Sequence, residues 1–343
     1  MGETRRRFLS KAAAGALGAG ALLGTGCSKH DVAGAPAARP RRVEPSATSR
    51  VVRVTHPSVV ASGDVDASAV SDMIAQGMRA LLDEDTPEAA FAALFAPQDV
   101  VAIKVNCLAG PPLSSHPEVA NALADRLAGV GIPRGAIIIY DRESRELAAV
   151  GYSISRQPGD VRCLGSDEVG YDSEPTLQGS VGTCFSRILS SMATALINVP
   201  VMKDHDVAGV SGALKNHYGS IHNPNKLHMD HCSPYIADLN CADAIRSRQR
   251  LIVFDALFAC YDGGPGYKPA TTVGLGQLLF ATDPVAIDWV CHQQIEDLRR
   301  RNGLAPLEAE ERAPVYIAEA ASPERGLGNA DADSVEVVDV EIA

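Results

Sequence analysis

From Arg50 onward the chain alternates short apolar, β-branched runs with longer stretches whose apolar residues recur every three or four positions. Such alternation is the pattern of an α/β fold, in which helices connect the strands of one sheet. The apolar runs predict strands over 51–56, 100–106, 136–141, 161–165, 194–201, 250–256, 277–282 and 335–341. Several are apolar throughout, as strands of a parallel sheet covered on both faces are. The three-to-four spacing predicts helices over 66–83, 87–95, 117–129, 184–193, 234–247 and 284–301. In the last of these, Ile287, Val290, Cys291, Ile295 and Leu298 form one stripe, and Arg299, Arg300 and Arg301 suit its negative end. Asp283-Pro284 reads as its cap and first residue, and Asp288, one turn in, suits the same dipole. The expected fold is a mostly parallel sheet with helices on both faces, in Rossmann-like layers.

No Pro/Ser-rich linker divides residues 50–343, which read as a single large α/β domain with an inserted subregion around 205–235. Residues 28–49, with Pro36, Pro40 and Pro45 among Ala and Ser, read as a flexible tether. Residues 1–27 read as an export signal: a basic start precedes a short uncharged Ala/Gly stretch that is too short to span a bilayer comfortably. Thr4-Arg5-Arg6-Arg7-Phe8-Leu9 resembles the twin-arginine motif, which implies passage through the twin-arginine export machinery to a periplasmic or other extracytoplasmic site. Leu22 to Cys27 resembles a lipoprotein cleavage site, with Cys27 as the lipidated residue; cleavage after Ala35-Pro36-Ala37 is the alternative. An acyl chain on Cys27 would be the only membrane contact.

Composition sharpens this picture. The 343 residues carry 31 basic and 42 acidic side chains, a net charge of −11, and cleavage before Cys27 takes it to −14. An acid excess of that size argues against nucleic acid, whose phosphates need a basic face. Eight cysteines are too sparse for a disulfide scaffold and too widely spaced for a ferredoxin-type iron–sulfur motif. Against the acidic background, lysines stand where strands end. Lys104 and Asn106 close VVAIKVN, Lys203-Asp204-His205 follow ALINVPV, and Lys215-Asn216-His217 come ten residues later, after a Gly/Ala-rich stretch, 207–214, read as a helical turn. Asp255 and Asp283 end two further strands, and Gly263-Gly264-Pro265-Gly266 reads as a surface loop. Ligands of open parallel sheets bind beyond the carboxyl ends of the strands. Three lysines and two asparagines there predict a cationic pocket for a carboxylate or phosphate group.

The histidines are also biased: His205, His217, His222, His228 and His231, five of nine, fall within 27 residues. Imidazoles with the nearby Cys232 suit nickel, zinc or iron, so His217, His222, His228 and His231 are candidate metal ligands, though their spacing fits no standard zinc pattern. His205, beside Lys203, is the candidate general acid/base.

The runs Val101-Ala102-Ile103-Lys104-Val105-Asn106, Ile197 to His205, Val210 to Asn216, Asp262 to Gly266 and Asp283 to Asp288 together resemble the domain-of-unknown-function 362 family, over about 100 to 290. The resemblance implies an α/β fold with its site on these motifs and agrees with export, since the family includes members with twin-arginine signals. Other members carry a ferredoxin-like module whose cysteines this chain lacks. More distantly, the layout is similar to the nickel-pincer lactate racemase group. The expected function is an exported enzyme acting on a small anionic substrate. Lys203 and His205 would be catalytic, and Lys104, Asn106, Lys215 and Asn216 would bind the substrate. The alternatives are a lipid-tethered metal- or solute-binding protein and an assembly factor for another metalloprotein.

Overall fold

A computed structural model describes residues 46–343, and the export signal, most of the tether and Cys27 lie outside the described residues. The described residues all fall within one compact unit. In chain order, β1 (Ser49–Thr55) precedes a small hairpin of β2 (Val60–Ala61) and β3 (Asp64–Val65), then α1 (Ala67–Leu82) and α2 (Pro87–Leu94). Next come β4 (Val101–Lys104), α3 (Pro117–Gly129), β5 (Ile137–Asp141), α4 (Ser144–Ala149), β6 (Arg162–Gly165) and α5 (Ser166–Val169). A second hairpin, β7 (Thr176–Gln178) and β8 (Val181–Thr183), leads to β9 (Ala195–Asn198), β10 (Val201–His205), β11 (Gly209–Ser211) and α6 (Ala213–Asn216). The chain ends with α7 (Tyr235–Asn240), α8 (Asp243–Arg246), β12 (Gln249–Cys260), β13 (Thr272–Ala281), α9 (Pro284–Arg301), α10 (Val315–Ala321) and β14 (Val335–Glu341).

The large sheet has the order β14-β1-β13-β12-β9-β4-β5-β6, with β10 continuing beside β12 and pairing β11. Strands β12, β9, β4, β5 and β6 are mutually parallel, while β13 runs antiparallel to both of its neighbours. Period-two alternation sorts the strand residues into two cores. Ala102, Ile138, Tyr140, Leu196, Ile252 and Phe254 join one core with Val285, Ile287 and Ile295 of α9. Val101, Ile103, Ile137, Ile139, Ile197 and Val253 join the other, with Met73 and Ile74 of α1 and Leu123 of α3. The expected α/β fold, a mostly parallel sheet between helical layers, is what the chain forms.

The helix boundaries follow their caps. Asp66 accepts from Ser68 N and Ala69 N to start α1, and Thr86 with Pro87 starts α2. Asp283 Oδ1 accepts from Val285 N at 2.7 Å and Ala286 N at 3.0 Å to start α9, as the sequence predicts. Its Oδ2 accepts from Ser49 Oγ at 2.5 Å and Asn329 N at 2.9 Å, so the cap also holds the start of β1.

Four local expectations are corrected. The strand predicted over 194–201 is two strands, because Pro200 has no N–H to continue the ladder, and Lys203 to His205 lie within β10 rather than after a strand. Within 207–214, Gly209–Ser211 form the strand β11, hairpinned on β10, and the helical turn begins only at Ala213. The helix over 234–247 breaks into α7 and α8 at Ala242, whose backbone is extended. Of 184–193 only a π-helical turn, Ile188–Met192, is helical, since Phe185 bridges to Ile221 as extended chain. The tether assignment also runs one residue too far: Ser49 is already in β1 and buried.

Replacing Asp283 removes a cap and the contacts to β1 and Asn329 together. Asp283→Ala is expected to lower unfolding free energy in urea by about 2 kcal/mol or more. A loss below about 0.5 kcal/mol would contradict this account of how α9 starts.

Candidate functional site

The chain passes from β4 outward through β5 to β6 and then returns to place β9 on the other side of β4. This reversal opens a crevice beyond the carboxyl ends of β4 and β9, the position where open α/β sheets bind ligands. A pocket of about 230 Å³ lies there, lined by Asn106, Lys203, His205, Lys215, Asn216 and His228 among others. Six sequence-selected residues therefore meet in one cavity, drawn from the β4 end, β10, α6 and the following loop. Lys104 lies just beneath them, fully buried.

The lysines dictate the orientation of every amide between them, because an ammonium donates and cannot accept. Lys203 Nζ donates to Asn106 Oδ1 at 2.7 Å, which turns Asn106 Nδ2 toward Asn216 Oδ1 at 3.0 Å. Lys104 Nζ donates to the same Asn216 oxygen at 3.3 Å, so Asn216 Nδ2 donates to Asn198 Oδ1 at 2.7 Å. Asn198, fully buried at the end of β9, closes the chain by donating to Ala213 O at 2.8 Å and Gln249 Oε1 at 3.0 Å. Only one set of amide orientations satisfies this relay.

The three lysines differ in their partners. Lys104 Nζ is paired with Asp141 Oδ1 at 2.8 Å and also donates to Val105 O at 2.6 Å. Gly219 lets this pair pack, since a Cβ there would lie 2.6 Å from Lys104 Nζ. Lys203 and Lys215 make no ion pair among the described residues. Lys215 Nζ instead donates to His228 Nε2 at 3.1 Å and lies 4.3 Å from the Tyr218 ring centroid, a cation–π contact. Burial pushes the Lys203 amine down to about 8, with Asp141 opposing and Lys215 assisting. Burial likewise pushes Lys215 down to about 8, although Cys232 and Asp206 oppose it.

The histidine tautomers follow from their partners. His228 Nδ1–H donates to Pro224 O at 3.1 Å, leaving Nε2 to accept from Lys215. His205 Nδ1 accepts from Val207 N at 3.1 Å and Ala208 N at 3.3 Å, which leaves the proton on Nε2. The exposed Asp206 carboxylate also approaches Nδ1 at 3.0 Å, but the two N–H donors and burial outweigh it. Burial, then the neighbouring Lys215 ammonium, push the His205 imidazole down to about 2. The ring stacks on His228 with centroids 5.7 Å apart, and its Nε2 makes no hydrogen bond among the described residues.

The remaining histidines do not join them. His217 is fully buried, with Nε2 2.9 Å from Gln249 Oε1 beneath the relay, and burial pushes its pKa down to about 4. His222 is exposed and accepts from Cys184 N at 3.0 Å, and His231 is exposed in a left-handed turn. The four candidate ligands His217, His222, His228 and His231 thus do not converge. Among the described residues no group of three or more His, Cys, Asp or Glu side chains is placed to hold a metal ion.

Three other sequence readings change. Asp255 lies inside β12 and holds His116, which precedes α3, by its N–H at 2.7 Å and Nδ1 at 2.8 Å, away from the pocket. Asp288 serves not its own helix but α6, accepting from Ala213 N at 2.5 Å and Leu214 N at 3.1 Å, and so positions Lys215 and Asn216. The Gly263–Gly266 loop is no free surface loop: Gly264 N donates to the buried Asp204 at 2.5 Å, and Pro265 lines the pocket. Arg312 holds Asp204 from the other side at 2.9 Å.

Sequence reasoning missed Asp141, Arg142, Glu146 and Tyr218, all of which line the pocket. The strand-end argument applied to the lysines would have found Asp141, which closes the predicted strand 136–141. Burial, then Asp141 and Glu143, raise the Glu146 carboxyl.

The family described as "Domain of unknown function (DUF362)" matches residues 101–293, more than half of the chain. The chain belongs to the DUF362 family. In this DUF362 protein the matched region contains every pocket residue named above. Among solved structures, it is similar to a crystal structure of a Thermotoga maritima protein from the Northeast Structural Genomics Consortium. That similarity has 11% identity and a TM-score of 0.38, covering 70% of this chain and 60% of the other. No sequence among the curated proteins matches this one.

Asp288 gives the site's support a pH signature. Burial lifts its carboxyl from 3.8 to about 7 against the lowering effect of the two N–H groups. Between those values the folded state holds a proton that the unfolded state has released, so this contribution to stability falls as pH rises through that window. Asp288→Asn lacks the titration. Urea unfolding is therefore expected to show the variant gaining on the parent protein from pH 4 to pH 7; parallel pH curves would contradict it.

Proposed function

We propose that the crevice binds a small anion, carrying a carboxylate or phosphate group, and that the protein is an enzyme using lysine as its acid–base group. The observation that carries this reading is the pair Lys203 and Lys215, buried in one cavity and making no ion pair among the described residues. Burying an unpaired ammonium costs several kcal/mol, and an anionic ligand lying against both groups offsets that cost. The ligand would also meet the Nε2–H of His205 and the amide of Asn106.

Amines held near pH 8 are charged often enough to bind an anion and neutral often enough to accept a proton. His205, neutral throughout the physiological range, serves in this reading as a hydrogen-bond donor, and Lys203 takes the proton-transfer role. Asp141, engaged by Lys104 and by Cys107 N at 2.7 Å, keeps the far wall of the crevice fixed.

Titration calorimetry with phosphate and with lactate tests the reading. Binding of at least one is expected, weakening above pH 8 as the amines lose their protons. Lys203→Met and Lys215→Met should each reduce affinity about tenfold or more, the equivalent of about 1.4 kcal/mol. Lys203→Met should also abolish turnover of any substrate found. Binding unchanged in both variants would overturn the proposal.

A further inference from the structure

We infer that Lys203 is an amine nucleophile that forms an imine with the carbonyl group of a small oxo acid whose carboxylate lies against Lys215. This rests on the anion-binding reading above and adds the substrate class and the covalent step.

The two unpaired lysines are not equivalent. Lys215 faces the Tyr218 ring at 4.3 Å, and a ring face favours the charged ammonium. The lone pair of His228 Nε2, 3.1 Å away, does the same. Lys215 is thereby the cation of the pair and the natural partner of a carboxylate. Among the described residues Lys203 Nζ has a single hydrogen bond, to Asn106 Oδ1, and neither a cation–π ring nor an ion-paired carboxylate at its amine. It projects from a strand that pairs with both β11 and β12, so its backbone is fixed. A desolvated lysine beside a second cation is the arrangement that yields a neutral, nucleophilic amine near neutral pH. Lys104, bound to Asp141, Val105 O and Asn216, has no such freedom.

Nothing is oxidised or reduced in the step. The neutral Lys203 nitrogen bonds to the carbonyl carbon while the C–O π bond opens and its oxygen takes a proton. The resulting carbinolamine then loses water. Both amine protons leave with the carbonyl oxygen, and the product is a C=N bond. The Nε2–H of His205, which has no hydrogen-bond partner among the described residues, is available to the departing oxygen or to the carboxylate. A cavity of about 230 Å³ suits a compound of a few carbons.

The test uses the full chain with glyoxylate, pyruvate or 2-oxoglutarate and sodium cyanoborohydride, which reduces an imine to a stable secondary amine. Intact mass and peptide mapping should show one adduct, on Lys203, with at least one of the three acids. Its formation should accelerate from pH 7 to pH 8.5 and slow when lactate or phosphate competes. Lys203→Arg, checked for folding by thermal melting, should give none. An adduct mapped to another lysine, or none on the wild-type protein while lactate or phosphate still binds, overturns the imine and leaves the anion pocket standing. Absence of both adduct and binding overturns both readings.

Discussion

Lys104, Lys203 and Lys215 are buried around one small cavity, and among the described residues only Lys104 of the three is ion-paired. An ammonium removed from water must be answered by acceptors or by a counter-charge. The surroundings of the crevice follow from that requirement. The amides of Asn106, Asn216 and Asn198 are aligned in one direction because the lysines at the head of the relay can only donate. The relay ends on Gln249 and the backbone of Ala213, where it joins the packed sheet. Lys203 and Lys215 remain without an ion pair among the described residues, and they define what the crevice lacks.

The fold brings these groups together through features remote from chemistry. The reversal of strand order between β4 and β9 leaves a gap above their carboxyl ends, and β10 with β11 extends one wall of it. Helix α6 has only four residues and no cap of its own, so Asp288 from α9 reaches across to hold its first N–H groups. The start of α9 is in turn fixed by Asp283, which also holds β1. The placement of Lys215 thus depends on a chain of contacts running back through α9 to the first strand. Arg312, on Asp204 and Glu310, clamps the end of β10 and the glycine loop beside it.

Much of this was legible in the sequence. Uninterrupted apolar runs marked the parallel strands, and Asp283-Pro284 marked the start of α9, because caps and periodicity are local signals. The strand-end argument selected Lys104, Asn106, Lys203, His205, Lys215 and Asn216, and the pocket gathers five of them with Lys104 directly below. The failures share a cause. Histidine spacing suggested a metal cluster, but His217 points into the core while His222 and His231 face solvent. Asp288 looked like a helix-dipole residue because its real partner is 75 positions away in the chain. The titration of His205 was likewise hidden: the sequence shows a histidine beside a lysine, but not the burial and the two N–H donors that keep the ring neutral.

The central claim is that Lys203 and Lys215 are buried in the free protein without an ion-pair partner among the described residues. Nuclear magnetic resonance of 13C- and 15N-labelled lysine side chains, assigned with Lys→Arg variants, measures this directly. Both should titrate near pH 8 in the free protein and move upward when an anion occupies the crevice. Titration of both near 10.5 in the free protein, with no response to anions, would contradict the account.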